Sequence, residues 1–256
     1  MTVTATARAA SRRRLPQVTV VWAIGLAWAV AVAAELTGRG QAFHHDQLAQ
    51  GTSAWAALGL FLLAWQLMIA AMMLPSSLPL IRLFGRASAN QPRPLRAKAA
   101  FLGGYAAVWS GFGAAAFLGD LGVHRLVDRS AWLAARPALL GGAVLVLAGA
   151  FQFSKLKDRC LRVCRHPAGY LQRHYRRGTS AAMRLGAGHG VWCVGCCWAL
   201  MLVAFAAGVA NLWWMAALTA LMVFEKTGRQ GRRGVRPIGV GLMVLGLLML
   251  VGSVAG

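Results

Sequence analysis

The sequence predicts an all-helical bundle that crosses a membrane about seven times. Three observations lead to this fold class: 58% of the 256 residues are hydrophobic, only 13% are charged, and the apolar residues are gathered into long runs. A helix needs about 20 apolar residues to cross a hydrocarbon layer roughly 30 Å thick. Backbone groups in that layer must be hydrogen-bonded within the segment, so such runs predict helices. This composition is not that of a water-soluble domain.

Seven apolar runs are candidates for membrane spans. The fifth and sixth are separated only by the turn around Asn211, so they form either a tight hairpin or one broken unit. Pro75 and Pro79 predict a distorted end of the second run, because proline removes a backbone donor and kinks a helix. Residues 1–17 form a basic tail, and residues 18–256 form a single transmembrane domain. The runs are residues 18–36, 54–81, 99–119, 138–154, 190–208, 211–225 and 237–255.

The first run also has an alternative interpretation. Arginines, an apolar stretch and the sequence AVAAE near residue 33 resemble a secretory signal with a small-residue cleavage site. The stretch is long for a signal, so we predict a retained helix. Cleavage would leave six spans and would not change the orientation of the rest.

The basic residues are distributed asymmetrically along the chain, which carries 27 Lys and Arg against 6 Asp and Glu. Of the 27, 23 lie in the N-terminal tail and in every second loop, and only four lie in the remaining loops. Because cytoplasmic loops are enriched in Lys and Arg, the N-terminus is predicted in the cytoplasm and the C-terminus outside. The charge therefore predicts contact with anionic lipid headgroups, and no motif favours nucleic acid.

The five cysteines all fall in or beside the fourth loop, residues 155–189, which the charge distribution assigns to the cytoplasm. Thiols in that compartment are normally kept reduced. The location therefore predicts metal or redox chemistry rather than a disulfide framework. The cysteines are Cys160, Cys164, Cys193, Cys196 and Cys197.

The spacing of the cysteines also indicates a soft-metal site. In a helix, Cys193, Cys196 and Cys197 have the i, i+3, i+4 spacing that puts side chains on one face, and Met201 continues that face. The two cysteines of KLKDRCLRVCRHP, four residues apart, would share a face of a second helix. Thiolates that converge from two segments suit zinc or copper(I). The alternative is ordinary packing, because a cysteine is a small apolar filler in many helices.

Several neighbours of the cysteines are weaker candidates. Methionine thioethers suit copper(I) and neutral imidazole binds many metals, but methionine is also common in packing and loop histidines are often only solvated. A carboxylate at membrane depth is costly and usually functional, whereas at an interface it commonly ends a helix. The outer loop HHD, residues 44–46, is either a shallow metal site or an ordinary polar loop. The candidates are Met68, Met72, Met73, His166, His189 and Glu225.

No enzyme signature is present in the sequence: it has no Gly-rich phosphate loop, no HExxH helix and no nucleophile elbow. An enzymatic alternative is a membrane thiol oxidoreductase that uses Cys193 and Cys196. This CxxC lacks the βαβ context that makes the motif persuasive. A third interpretation is a structural zinc site that positions a partner-binding loop.

Four motifs carry a family resemblance. They are MIAAMMLPSSLPLI at 68–81, GYAAVW at 104–109, FQFSKLKDRCLRVCRHP at 151–167 and HGVWCVGCCWALMLVAFAAGVANLWWMAALTALMVFEK at 189–226. With them, residues 55–226 resemble a bacterial family of predicted metal-binding integral membrane proteins, the domain of unknown function numbered 2182. At residues 209–211, VAN departs from the methionine-containing turn of the family pattern.

The resemblance implies metal binding in the bacterial cytoplasmic (inner) membrane and leaves the biochemical activity open. It marks positions at the end of the second span, in the fourth loop and along the fifth and sixth spans. These positions are Met72, Met73, Pro75, Gln152, Lys157, Cys160, Cys164, His189, Cys193, Cys196, Cys197, Trp198, Met201, Asn211, Glu225 and Lys226.

We therefore predict an inner-membrane protein that binds copper(I) or zinc at a thiolate-rich site on the cytoplasmic side, for transport or delivery of the ion. Its predicted partners are anionic lipid, the metal ion, and either a metallochaperone or a second copy of the chain. Cysteines 193, 196 and 197 are the core ligands, and cysteines 160 and 164 fold over from the loop. The site extends to Met72, Met73, His189, Met201 and Glu225.

Overall fold

The computed structural model describes residues 2–37, 54–206 and 211–255, with side chains described for residues 19–37, 55–206 and 211–254. Every regular element in these ranges is a helix, which confirms the predicted all-α class. The HHD segment at residues 44–46, either a shallow metal site or an ordinary polar loop, lies outside the described residues. The helices are α1 (Thr2–Leu36), α2 (Ala54–Met72), α3 (Leu74–Ala87), α4 (Pro94–Asp128), α5 (Ala131–Ala134), α6 (Ala138–Phe151), α7 (Lys155–Arg165), α8 (Pro167–His174), α9 (Thr179–Ala206), α10 (Leu212–Thr227) and α11 (Gly231–Ala255).

Five helices of the described chain are long and apolar enough to cross a membrane, namely α1, α2, α4, α9 and α11. Helices α6 and α7 make a sixth candidate if they are taken as one span bent by 68°. Helix α10, the predicted span 211–225, has 16 residues and falls short of the roughly 20 that a span needs. The chain is thus a polytopic helical bundle with five or six candidate spans, where the sequence predicts seven.

The predicted second span is broken near its prolines. Helix α2 ends at Met72, and α3 begins at Leu74 with Pro75 in its first turn. Pro75 has no N–H to offer the carbonyl four residues earlier, that of Ala71. The indole Nε1 of Trp28 donates to this carbonyl at 3.0 Å instead. The break therefore keeps its backbone acceptor satisfied and leaves Met73 at the junction of two helices.

The predicted cytoplasmic loop is largely helical. Helices α7 and α8 occupy its first part, and α9 begins at Thr179, well before the predicted start of the fifth span at residue 190. Ser154 caps α7 by accepting a hydrogen bond from the backbone N–H of Lys157. Tyr170 of α8 donates to the carbonyl of Leu185 at 3.0 Å. Burial, together with the Cys164 thiolate, raises the pKa of Tyr170 to about 12, so this phenol stays a donor at neutral pH.

Two helix pairs pack through glycine. In the α4–α9 pair, a Cβ on Gly104 or on Gly186 would collide with the backbone of the other helix. In the α6–α11 pair, a Cβ on Gly149 would lie 2.7 Å from the carbonyl oxygen of Gly239, and one on Gly246 the same distance from that of Gly142. Small residues allow such close approach in membrane bundles. We call Gly142, Gly149, Gly239 and Gly246 the glycine seam.

Candidate metal centre

Three sulfur atoms from two parts of the fold meet around one lysine ammonium. Cys193 and Cys197 lie one turn apart on α9, on the same face as predicted, and both are buried. Met73 stands at the break between α2 and α3, and Lys226 reaches in from the C-terminal end of α10. We call Met73, Cys193 and Cys197 the sulfur nest.

The ammonium of Lys226 contacts every member of the sulfur nest. Its Nζ is 3.1 Å from Cys193 Sγ and 3.9 Å from both Cys197 Sγ and Met73 Sδ. It also donates to Ser76 Oγ at 3.1 Å. Lys226 is only 5% exposed, and a buried charge is costly unless it is paired. Among the described residues no carboxylate forms a salt bridge with it, and the nearest group able to carry a negative charge is the Cys193 sulfur at 3.1 Å.

A chain of polar side chains supports the nest from α3, α4 and α9. Tyr105 OH lies 3.2 Å from Cys193 Sγ, and Ser77 Oγ lies 3.4 Å from the same phenol oxygen. His189 Nε2 is 3.2 Å from Ser77 Oγ, and the imidazole stacks on the Tyr105 ring. His189 thus orients the polar chain here, and its role as a ligand stays a prediction.

The remaining cysteines lie beside the nest, between α7 and α9. The Sγ atoms of Cys164 and Cys196 are 3.8 Å apart, and the Cys196 thiol donates to the carbonyl of Cys193 at 3.1 Å. Cys164 is half-buried, whereas Cys196 is buried. Cys160 packs over Gly195, where a Cβ would lie 2.6 Å from its Sγ. All five cysteines are free. We call Cys164 and Cys196 the outer pair.

Glu225 forms a buried ion pair next to the nest. Its Oε2 accepts a 2.6 Å hydrogen bond from Lys157 Nζ, and the two side chains are 2% and 1% exposed. Its Oε1 has no hydrogen-bond partner among the described residues. The guanidinium of Arg165 donates to the carbonyls of Glu225 and Gly228, which satisfies acceptors left open at the end of α10. Glu225 therefore fixes α7 against α10, and its predicted ligand role stays a prediction.

Two separate pairs of sulfur atoms lie close enough together to bind a soft ion. The five cysteines do not form one common set of ligands. Within the described part of the chain, no three His, Cys, Asp or Glu side chains form a group that could hold a metal. A zinc–thiolate bond is about 2.3 Å long, so two sulfurs less than roughly 4.6 Å apart can bind one ion. Both the outer pair, at 3.8 Å, and Cys197 with Met73, at 3.7 Å, meet this condition. Thiolate and thioether together are the donors that copper(I) prefers.

Ligand chemistry predicts some of the residues at the site from the sequence, but not all of them. Met72 and Met201, both predicted, are fully buried in the same core cluster as the nest. Lys226, Tyr105 and Ser76 contact the nest although none is a typical soft-metal ligand. The adjacent Glu225 and Lys226 at the end of an apolar run were the available signal, because buried charges next to membrane segments are costly and usually functional.

Comparison with known proteins supports the copper interpretation. The model of a family described as "PpoB2: Copper chaperone" matches residues 62–249, which are 188 of the 256 residues and include the whole nest and the outer pair. No curated protein and no solved structure gives a significant match. The description names copper and gives no support for zinc, and it does not carry the designation of the family that the motifs resemble. The chain therefore belongs to the PpoB2 copper chaperone family.

Proposed function

We propose that this protein is a membrane-embedded copper(I) chaperone that holds one ion in the sulfur nest and delivers it to an acceptor protein. The observation that carries the proposal is the position of the Lys226 ammonium. A monovalent cation is already seated in the nest, 3.1 Å from Cys193 Sγ and 3.9 Å from the other two sulfurs. Copper(I) carries the same charge and has a far stronger preference for sulfur.

Binding then amounts to an exchange of one cation for another. Copper(I) would bond to the sulfurs of Cys193 and Cys197 and to the Met73 thioether. The Cys197 thiol, which donates to the carbonyl of Cys193, would release its proton to solvent as it binds the ion, and the ammonium would withdraw toward Ser76 and the end of α10. The incoming copper(I) charge is offset by the departing thiol proton, so the sulfurs, the ion and the Lys226 ammonium together carry the same charge before and after binding. This avoids the large cost of adding a net charge in a low-dielectric region.

The outer pair supplies a route between the nest and the surface. Cys164 is the only half-buried cysteine of the five, and its Sγ lies 3.8 Å from that of Cys196. Cys196 in turn lies three residues after Cys193 on α9 and bonds to its carbonyl. Successive thiolate exchange along Cys164, Cys196 and Cys193 would pass the ion without releasing it into water. The acceptor is a protein with accessible thiolates.

The asymmetry of the basic residues supports a cytoplasmic side for this route. The loop 155–189, which contains Cys164, and the segment 226–236 carry 14 of the 27 Lys and Arg residues. The positive-inside rule assigns such segments to the cytoplasm. In this proposal the protein lies in a bacterial inner membrane and exchanges copper on its cytoplasmic face.

The first test is the metal content of protein purified anaerobically after copper(I) loading. We expect about one copper per chain, bound by soft sulfur donors, in the wild type, and little in a Cys193→Ser, Cys197→Ser variant. Ala199→Ser is the matched control, because it buries a hydroxyl in the same helix without removing sulfur. An equal copper content in the wild type and the double variant would show that the nest is not the copper site. Zinc in place of copper, lost in the same variant, would instead support a structural zinc site.

Met73→Leu tests the thioether separately. The substitution conserves volume, so the fold should be retained while copper(I) affinity falls. Met222→Leu, at a fully buried methionine of α10 outside the nest, is the control and should bind copper like the wild type. Affinity is measured by competition with a chromophoric copper(I) chelator, and the same assay reports transfer to an acceptor. An unchanged affinity in Met73→Leu would remove Met73 from the site.

A further inference from the structure

A strongly basic cleft lies along α7. It has a volume of about 990 Å³ and is formed by the end of α6, by α7 and by the start of α11. Nine of its sixteen lining residues are Lys or Arg, and Asp158 is the only acidic one. Segments some seventy residues apart in sequence contribute to its walls, so the charge is concentrated in a concave site rather than spread along one loop.

Much of this charge is uncompensated within the described structure. Asp158 pairs with Arg162 at 3.1 Å and with Arg232 at 2.9 Å, which ties α7 to α11 across the cleft. The remaining exposed arginines of the cleft, Arg159, Arg229, Arg233 and Arg236, have no ion pair among the described residues. Like charges held this close repel one another, and an anion in the cleft would relieve the repulsion.

A buried amide in the wall of the cleft also lacks partners. Gln152 lines the cleft at the end of α6 and is only 4% exposed. Neither its Nε2 nor its Oε1 has a hydrogen-bond partner among the described residues. A buried amide without a partner costs free energy, so this group calls for a ligand with both donor and acceptor oxygens. A phosphate diester that carries hydroxyl groups meets this requirement.

The surroundings of the cleft favour a lipid as the source of that phosphate. Helix α11 is one of the candidate membrane spans, and only 11% of its apolar segment Gly231–Val254 is buried within the bundle. Phe153 and Leu156 are 49% and 53% exposed beside the cleft, which gives an apolar rim next to the basic wall. Basic pockets between membrane helices on the cytoplasmic side are known to hold anionic headgroups.

We propose that the cleft between α6, α7 and α11 is a specific binding site for the headgroup of an anionic phospholipid. Arg229, Arg233 and Arg236 hold the phosphate, and the Gln152 amide bonds to the hydroxyls of the headgroup. Choline-bearing lipids bind less well, because their ammonium meets the same arginines. The site is independent of copper binding and gives the bundle a fixed lipid contact beside α7.

Native mass spectrometry of the full-length protein with phosphatidylglycerol and phosphatidylcholine tests this site. The cleft variant Arg229→Gln, Arg233→Gln, Arg236→Gln is compared with Arg173→Gln, Arg177→Gln, Arg184→Gln, which removes three exposed charges outside the cleft. Each basic side chain near an anionic surface is worth roughly fivefold in affinity. We expect phosphatidylglycerol affinity to fall on the order of tenfold or more in the cleft variant and little in the control.

A second variant keeps the test decisive if the triple variant is poorly folded. Gln152→Leu keeps every charge, and we expect it to lose preference for phosphatidylglycerol over phosphatidic acid, which has no glycerol hydroxyls. Equal loss in the two triple variants would overturn the site, since ordinary headgroup contact explains such a result. Displacement of phosphatidylglycerol by millimolar inorganic phosphate would overturn the lipid assignment. An unchanged headgroup preference in Gln152→Leu would remove the amide from the site.

Discussion

The sulfur nest and the glycine seam lie in the same bundle but are built from different kinds of residue. The seam brings α6 and α11 together by having no side chains, and its contacts are backbone atoms and carbon atoms of side chains. The nest and its surroundings bury the ammonium groups of Lys226 and Lys157, the Glu225 carboxylate and the thiols of α9. Packing alone therefore explains the residues of the seam. The nest and its surroundings contain charged groups that packing does not require.

The free-energy costs of the two regions indicate which of them has a functional role. Close glycine contacts stabilise a membrane bundle through dispersion at little polar cost. Buried charges, even paired, are often no better for stability than apolar residues of the same size. A chain that keeps two lysines and a carboxylate in its interior gains something other than stability. Substitutions should therefore separate the regions: changes in the seam should lower stability and leave copper binding unchanged, whereas removal of a nest sulfur should lower copper binding.

The largest expected effect on stability comes from the ion pair beside the nest. Lys157→Met leaves the Glu225 carboxylate buried without its 2.6 Å partner, and breaking a buried pair in this way costs about 3–5 kcal/mol. We expect the free energy of unfolding in detergent to fall by that amount. Lys155→Met, at an exposed position of the same helix, should stay within about 0.5 kcal/mol of the wild type.

The double variant Lys157→Met, Glu225→Leu sharpens this result. Replacing both partners by apolar residues removes the unpaired charge, and such replacements are often neutral or stabilising. Most of the lost stability should return. If the double variant is as unstable as Lys157→Met, the cost arises from packing and the contrast with the glycine seam disappears.

A smaller effect is expected at the glycine seam. In Gly149→Ala the new Cβ would meet the Met243 side chain at 2.5 Å and the Gly239 carbonyl oxygen at 2.7 Å. Overpacking of this kind costs about 1–3 kcal/mol. Gly141→Ala is the matched control on the same helix, where the new Cβ meets only the flexible end of Met249 at 3.4 Å. Chemical unfolding should separate the two, and copper binding should be unchanged in both.

The same contrast explains which parts of the molecule follow from the sequence. Apolar runs predict the all-helical class because backbone groups in a membrane must bond within their own segment. The spacing of Cys193 and Cys197 predicts their common face because helical period is a local property. The break at Met73 is indicated by Pro75, although only the structure reveals the Trp28 hydrogen bond that satisfies Ala71.

The sequence does not predict which distant segments contact one another. Lys226 and Met73 are 153 residues apart, and their meeting depends on how α10 packs against the α2–α3 break. The loop cysteines also divide in a way that spacing does not predict. Cys164 pairs with Cys196, while Cys160 packs over Gly195 because a glycine there lets α7 approach. By length and apolarity the described chain has five or six candidate spans, and α10, the predicted sixth span, has 16 residues.

The smallest expected change involves one side chain and no substitution. If copper(I) enters the nest at bonding distance from sulfur, about 2.3 Å, the Lys226 ammonium must leave its position 3.1 Å from Cys193 Sγ. Acetylation of Lys226 by a small reagent, read by peptide mass spectrometry, should then rise severalfold on copper loading. Lys157 is equally buried but is held by Glu225, so its acetylation should stay low in both states. If copper binds at full stoichiometry while Lys226 is still protected from acetylation, the ion must bind at the outer pair instead. Lys226 would then be a structural counter-charge like Lys157.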